Sequence, residues 1–295
     1  MMATPWPMTL QSGAGTLYHY QPPKLEWLER TLVEGVIHCS KPMDFNDPWD
    51  CRPSFNTEAL NDPDYRERQV RWFDALGRKT NPLLPEDEHA RRANTLREDR
   101  AFLGRLIAES SAGMEQPIND RYRVFCLTTK PDCSLMWAHY ANKHQGICLG
   151  FNVRNDVFSG ALRVDYAETY PVFELADDSE TGNLRALLTK SSVWRYEDEY
   201  RLIAQEQSAA TDHETLITND NYLALPSGAL SSIIVGCLMP AETIAEIRAI
   251  VERSETRPAI HQMVRDPNRY KLGMTSIDGG ASPSHTTFNE QTFAG

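Results

Sequence analysis

Two short apolar runs that bracket a helical segment constrain the fold of this chain more than any other feature. Residues 125–128 and 147–151 are β-prone and have the length that strands favour. Between them, residues 134–144 place Trp137 and Tyr140 at helical spacing, which predicts one or two helical turns. The pattern predicts a strand, helix, strand unit around which we expect the other elements to be organised.

The helical segment is also dense in side chains that can take part in chemistry. Four polar residues accompany its rings: His139, Asn142, Lys143 and His144. A Trp and a Tyr on one helical face are more often core residues than binding residues, and the two histidines can simply be exposed. The density of aromatic and polar side chains recurs in two other stretches, which favours a binding site.

Composition excludes several classes of protein. The chain of 295 residues has a net charge of −11, which argues against a broad nucleic-acid-binding surface, although a local basic patch is compatible with it. Six cysteines form no CxxC pair, and several lie in apolar runs, as free thiols do in a reducing cytoplasm. The chain shows neither a signal-peptide pattern nor eighteen consecutive apolar residues, so we expect a cytoplasmic protein without membrane contact.

The remaining pattern predicts one α+β domain with a mixed, mostly antiparallel twisted sheet and an N-terminal helix. Residues 1–15 predict a flexible arm, 16–275 the domain, and 276–295 a disordered tail. The charged segment of about 60–112 predicts a helical insertion to which we assign no chemistry. Further strands are expected at 16–20, 36–40, 162–166, 222–226, 231–236 and 259–264, and helices at 24–33, 177–190 and 241–251.

The loop at residues 41–50 combines two prolines, two aromatic rings and several Asx residues. Asx side chains bond their own backbone, so the loop is either a rigid turn or the wall of a pocket that includes Asn46 and Asp47. Asp44, Asp47 and Asp50 are hard oxygen ligands, but the spacing lacks the glycine and the terminal glutamate of an EF-hand. We therefore expect no metal site.

Acidic and basic residues alternate in the stretch from residue 194 to 204. In a strand, Glu197, Glu199 and Arg201 would share one face. Two carboxylates at this spacing do chemistry when burial or mutual repulsion shifts the pKa of one of them. The alternative is an exposed edge on which Glu199 pairs with Arg201 and nothing reacts.

Four multi-residue motifs occur in a fixed order along the chain. They are LYHY from Leu17, SKPxxFNDP from Ser40, LMWAHYAxxHxGxCLGF from Leu135, and KxxxWxYExEYRL from Lys190. Together they resemble the bacterial domain-of-unknown-function family 2971 over roughly residues 17–236. That resemblance implies no particular reaction.

A more distant resemblance is to ADP-ribosyltransferase-like folds, which bind NAD in a cleft between two small sheets. It depends on a histidine in the first strand, an aromatic or serine site after it, and a glutamate in a later strand. The resemblance implies a split sheet in which His19 holds the adenosine-side ribose of NAD. It also implies that Tyr140 or Trp137 stacks on the nicotinamide, and that Glu197 or Glu199 bonds the other ribose.

The chemistry that this resemblance implies suits a fixed carboxylate. Cleavage of the nicotinamide glycosidic bond passes through an oxocarbenium-like state, which a negative charge stabilises. We expect ten further residues to line the nucleotide site: Tyr20, Ser40, Asn46, Asp47, Trp137, His139, His144, Lys190, Trp194 and Arg201. Rossmann and P-loop motifs are missing from the sequence, so NAD would be bound in another way. HExxH and GxSxG are missing as well, which excludes the commonest zinc-protease and α/β-hydrolase interpretations.

Two functions of different classes follow from the sequence. The first is an NAD-consuming transferase or glycohydrolase, acting on a protein or nucleic-acid acceptor as a toxin or phage-defence effector. The second is a non-catalytic module whose aromatic and acidic pocket binds a ligand or a protein.

Overall fold

A computed structural model describes residues 8–52, 57–170, 180–209 and 216–277 of the chain. Contacts within it divide the chain into two compact units. The sheet unit comprises residues 1–40, 123–164 and 194–295, and the helical unit comprises residues 41–122 and 165–193. The helical insertion expected near residues 60–112 is therefore part of a larger unit that a second segment of the chain completes.

Strands are numbered in chain order. They are β1 Thr16–Gln21, β2 Val36–His38, β3 Tyr122–Thr128, β4 Ile147–Asn152, β5 Leu162–Arg163, β6 Asp165–Ala167, β7 Thr189–Ser191, β8 Glu199–Glu206, β9 Leu216–Asn219, β10 Tyr222–Ala224, β11 Leu230–Val235, β12 Ala259–Arg265 and β13 Leu272–Ser276. Among the described residues, eleven of them form one sheet in the order β13-β12-β11-β4-β1-β3-β8-β9-β10-β2, with β5 beside β8. Because β8–β9 and β11–β12 are parallel and most other pairs antiparallel, the predicted α+β class with a mixed sheet is confirmed.

The helices are also numbered in chain order. They are α1 Thr9–Ser12, α2 Leu25–Glu29, α3 Pro63–Thr80, α4 Glu86–Glu98, α5 Arg100–Arg121, α6 Ser134–His139, α7 Glu180–Leu188 and α8 Ala241–Arg253. The predicted N-terminal helix is present as α2, which a π-helical turn extends over Arg30–Glu34. Gly35 ends it with a positive φ of 66°, a conformation that costs glycine little.

The flexible arm predicted for residues 1–15 is wrong for its second half. Thr9 begins α1, is fully buried, and donates a hydrogen bond from its hydroxyl to the Ala161 carbonyl at 3.0 Å. Residues 1–7 lie outside the described part of the chain, as does the predicted tail beyond Ile277. β13 therefore overlaps the predicted tail only at Ser276.

The helical unit is built on three long helices. Asp62 caps α3 by accepting a hydrogen bond from the Asp64 amide at 2.9 Å, and Pro63 occupies the first turn, where its missing N–H costs nothing. Val70, Leu103 and Ile107 are fully buried in the apolar cluster between the helices. The insertion is longer than expected, because α5 continues to Arg121.

Apolar clusters cover both faces of the sheet at β1. Leu17 packs on one face, in a large cluster with Phe125 and Phe151. Tyr20 packs on the other face, in a cluster with Trp137 and the partly buried Tyr140. Since successive side chains of a strand point to opposite faces, His19 shares the face of Leu17.

β1 and β3 separate soon after they meet. Their only paired residues among those described are Tyr18 and Thr128. Further along β3, Val124 exchanges two backbone hydrogen bonds of 2.9 Å with Ser40, just beyond β2. This bridge closes β3, β8, β9, β10 and β2 into a ring of strands and leaves a gap between β1 and β3.

Candidate functional site

A hydrogen bond between Tyr140 and Glu197 joins two of the motifs. Tyr140 follows α6, and its hydroxyl donates to Glu197 Oε1 at 2.7 Å. Glu197 ends a 3-10 turn before β8, and only 2% of the residue is exposed. The hydroxyl of Thr128, at the end of β3, donates to the Glu197 backbone carbonyl. The carboxylate is thus fixed both through its backbone and through Tyr140.

Partly or fully exposed rings surround this pair. The His139 ring lies 6.2 Å from that of Tyr140 and 6.0 Å from that of Trp194, measured between centroids. The Trp194 ring lies 6.0 Å from that of Tyr196. We call Tyr140, Glu197, His139, Trp194 and Tyr196 the Tyr140 site. It offers flat aromatic surfaces beside a buried acid.

The two glutamates of the motif do not share a strand face as predicted. β8 begins only at Glu199, because Asp198 adopts a positive φ of 45° and interrupts the extended backbone after Glu197. Glu199 receives two hydrogen bonds from Arg201, from Nε at 2.8 Å and from a terminal nitrogen at 3.1 Å. Glu199 therefore pairs with Arg201, as the second interpretation of this stretch predicts. Both residues are buried, so the pair lies inside the protein and not on an exposed edge.

Asp198 lies between the two glutamates and belongs to a separate network. Burial opposes the ionisation of its carboxyl, but hydrogen bonds from Thr129 and Arg163 outweigh it and lower the pKa of Asp198. The charged Asp198 thus ties the turn before β8 to the end of β3 and to β5.

Trp137 and Tyr20 are core residues. Trp137 is fully buried, and its indole N–H donates to the Pro131 carbonyl at 2.8 Å. Tyr20 lies edge-on to it at 5.2 Å and donates its hydroxyl to the Lys130 carbonyl at 2.7 Å. Burial raises the pKa of Tyr20 well above its ordinary value. The predicted stacking of Trp137 on a ligand is therefore wrong, since the cluster around it already covers the ring.

His19 occupies the gap between β1 and β3. Its Nδ1 donates to the Cys126 carbonyl at 2.8 Å, because a carbonyl can only accept, and its ring stacks on Phe125 at 4.1 Å. Burial lowers the pKa of His19 to about 4, more than the bond to Cys126 raises it. The imidazole is therefore neutral at pH 7.

Ser40 and His19 line one small cavity of about 60 Å³. Its other walls include the rings of Trp27 and His38, which stack at 5.3 Å. This cavity lies on the face of β1 that carries Leu17, whereas Tyr140 packs on the opposite face. The expected convergence of His19 with Tyr140 and a glutamate on one surface is therefore wrong, because the alternation of β1 separates them.

Three of the predicted site residues lie in the helical unit: Asn46, Asp47 and Lys190. Lys190 Nζ lies 3.6 Å from Asp50 Oδ2, and both side chains are buried. Asp47 Oδ1 accepts from the Trp49 amide at 3.0 Å, which is the local bond of a rigid Asx turn. Asn46 is exposed. These contacts favour the rigid-turn interpretation of the loop.

His144 lies in a left-handed turn between α6 and β4. Asn142, Lys143 and His144 have φ values of 44°, 56° and 67°, which are unfavourable for residues with a Cβ. The turn is held by the hydrogen bond from the His144 amide to the Trp137 carbonyl at 3.1 Å. Burial lowers the pKa of His144, and its Nδ1 lies 3.9 Å from Cys237 Sγ. His144 is thus outside the Tyr140 site.

Sequence reasoning missed several residues that line these sites. Tyr196 was absent from the predicted set, although it stands inside the motif of Glu197. The cavity of His19 is also lined by Trp27, His38 and Tyr222. The pairing of β2 with β10 brings His38 and Tyr222 together, and Trp27 of α2 stacks on His38. Within the described ranges, no group of three or more His, Cys, Asp or Glu side chains could hold a metal ion, and no helix is long and apolar enough to cross a membrane.

The fold defines an α+β protein with a mixed sheet, and one comparison finds a similarity to a known family over part of the chain. A family model described as a protein of unknown function (DUF2971) matches residues 136–202. The matched segment contains both Tyr140 and Glu197 and supports the resemblance to that family for this part of the chain. Comparisons with curated proteins and with solved structures each found no significant match.

Proposed function

We propose that this protein is an NAD-consuming enzyme, an ADP-ribosyltransferase-like transferase or a glycohydrolase, with Glu197 as its reactive carboxylate. The observation that supports the proposal is the hydrogen bond of 2.7 Å that fixes Glu197 against Tyr140, beside the accessible ring of Trp194. A buried, oriented acid next to flat aromatic surfaces suits a substrate with a planar leaving group on a sugar.

The proposed chemistry uses the Tyr140 site in three ways. The nicotinamide ring stacks on Trp194 or Tyr196, in place of the Tyr140 or Trp137 that the resemblance implies. The Glu197 carboxylate stabilises the positive charge that develops on the ribose as the glycosidic bond breaks. The Tyr140 hydroxyl holds that carboxylate in one orientation, so that no reorganisation is needed in the transition state.

We assign the reactive role to Glu197 and not to Glu199, because the Glu197 carboxylate is bonded to Tyr140 within the Tyr140 site. Both oxygens of Glu199 lie within hydrogen-bonding distance of the Arg201 guanidinium, which is fully buried. An acid engaged in this way stabilises the fold, and its negative charge is already compensated.

The proposal includes the cellular compartment and the acceptor of the ADP-ribose. Each of the six cysteines is a thiol and not part of a disulfide, which suits the reducing cytoplasm in which we propose that the protein acts on NAD. ADP-ribose would pass to water or to a protein or nucleic-acid acceptor, and consumption of NAD would suit a toxin or a phage-defence effector.

Incubation with NAD tests the proposal. We expect the full chain to release nicotinamide and to show a higher melting temperature in the presence of NAD. Trp194→Ala should weaken NAD binding at least tenfold, because the stacking surface is lost, while Trp72→Ala in the helical unit serves as a tryptophan control. A wild-type protein that shows no thermal shift with NAD and releases no nicotinamide would contradict the proposal.

A non-catalytic binding module is the second candidate. It is favoured by the low exposure of Glu197, since an acid that is 2% exposed is also what a structural role requires. The two candidates differ in one result: a thermal shift by NAD without release of nicotinamide, with or without an added acceptor, indicates a binding module.

A further inference from the structure

Gln21, the last residue of β1, carries a buried side-chain amide. Only 5% of the residue is exposed, and its Nε2 has no hydrogen-bond partner among the described residues. The side chain lines the cavity beside His19, where β1 has already separated from β3. A buried donor left unpaired is unfavourable, so a molecule in the cavity that accepts this hydrogen bond would be stabilised.

His19 presents the complementary group to the same cavity. It lies two residues before Gln21 and therefore on the same face of β1, about 7 Å away along the strand. Because Nδ1 donates to the Cys126 carbonyl, Nε2 of the neutral ring is an acceptor. Among the described residues, no hydrogen bond engages this nitrogen. The cavity thus offers one donor and one acceptor side by side.

The other walls favour a flat, weakly polar group. Ile37, Phe125 and Leu149 contribute apolar surface, and the Trp27 ring closes one side. The cavity has a volume of about 60 Å³, which accommodates a group of a few heavy atoms. For comparison, an engineered protein cavity that binds a whole benzene molecule has a volume of about 150 Å³. The site therefore fits the end of a ligand and not a whole nucleobase.

We propose that this cavity binds a primary carboxamide, whose carbonyl accepts from Gln21 Nε2 and whose N–H donates to His19 Nε2. The rest of the ligand extends towards the rings of Trp27 and Tyr222 at the cavity wall. A carboxylate at the same place would leave His19 without a donor. This site does not depend on the proposed function, since it lies on the face of β1 opposite Tyr140.

Titration of the full chain with benzamide, benzoate and N,N-dimethylbenzamide tests the site, with calorimetry or protein NMR as the readout. We expect benzamide to bind at least tenfold more tightly than the other two probes. Gln21→Met removes the donor at nearly constant volume and should weaken benzamide binding about tenfold. Gln262→Met on β12 is the matched control and should leave the affinity unchanged.

His19→Asn provides a second, independent variant. An asparagine amide can still donate towards the Cys126 carbonyl, but it cannot supply the Nε2 acceptor. We expect it to reduce the preference for benzamide over benzoate to less than threefold. Equal binding of all three probes, no binding of benzamide at millimolar concentration, or wild-type affinity in Gln21→Met would overturn the proposal. The readout is binding without NAD, so its failure is distinguishable from failure of the proposed enzyme.

Discussion

His19 is held at the point where β1 leaves β3. Its Nδ1 donates a hydrogen bond to the carbonyl of Cys126, a residue 107 positions away in the sequence. Because the ring is buried and burial lowers its pKa, the protonation of His19 is coupled to folding.

The neutral state of His19 predicts a pH dependence of stability. Its pKa is about 4 in the folded protein and about 6.5 in an unfolded chain. Below pH 6.5 the unfolded chain therefore binds the proton more readily, and stability falls until about pH 4, by up to about 3 kcal/mol. Urea unfolding at pH 7 and pH 4.5 should show a smaller loss for His19→Asn than for the wild type, and equal losses would contradict this account.

The ion pair of Glu199 and Arg201 predicts an asymmetry between single and double variants. Glu199→Gln leaves a buried guanidinium without its full counter-charge, which typically costs about 3–5 kcal/mol. Replacement of both residues by methionine removes both charges and should cost less. The difference is measured from the denaturant midpoints of the wild type, Glu199→Gln and the double methionine variant. A double variant less stable than Glu199→Gln would contradict this account of the ion pair.

The elements were predictable where their pattern is local. The β3, α6 and β4 unit follows from apolar runs around a helical segment, and Pro63 and Gly35 mark a helix start and end in the usual way. The start of β8 was misplaced because the positive φ of Asp198 has no signal in the alternating sequence. α1 was missed because its stability comes from a contact with Ala161, far along the chain.

The left-handed turn after α6 depends on a glycine in a neighbouring loop. A Cβ at Gly236 would lie within 2.0 Å of the His144 carbonyl oxygen, and the Gly236 amide donates to the Gly146 carbonyl at 3.0 Å. We expect Gly236→Ala to destabilise the protein by about 1–3 kcal/mol, because backbone has to move. Gly160→Ala, where a Cβ meets nothing within 4 Å, is the control. Equal melting temperatures of the two variants would contradict the packing described.

For the whole molecule, the class of fold followed from the sequence and the arrangement of the site did not. Alternating and helical patterns are sufficient to predict an α+β protein with a mixed sheet. Whether His19 and Tyr140 meet depends on which face of β1 each one lies against, and this is decided by the pairing of strands distant in sequence. The hydrogen bond between Tyr140 and Glu197, 57 residues apart, joins two motifs that both lie in the segment matched by one family model.

The most direct test of the account is the rate of nicotinamide release from NAD by the wild type, Glu197→Gln and Tyr140→Phe, measured on protein shown to be folded by its melting transition. We expect Glu197→Gln to lower the rate at least a hundredfold and Tyr140→Phe to lower it less, because the phenol only orients the carboxylate. A Glu197→Gln protein that is folded and releases nicotinamide at the wild-type rate would contradict the central claim.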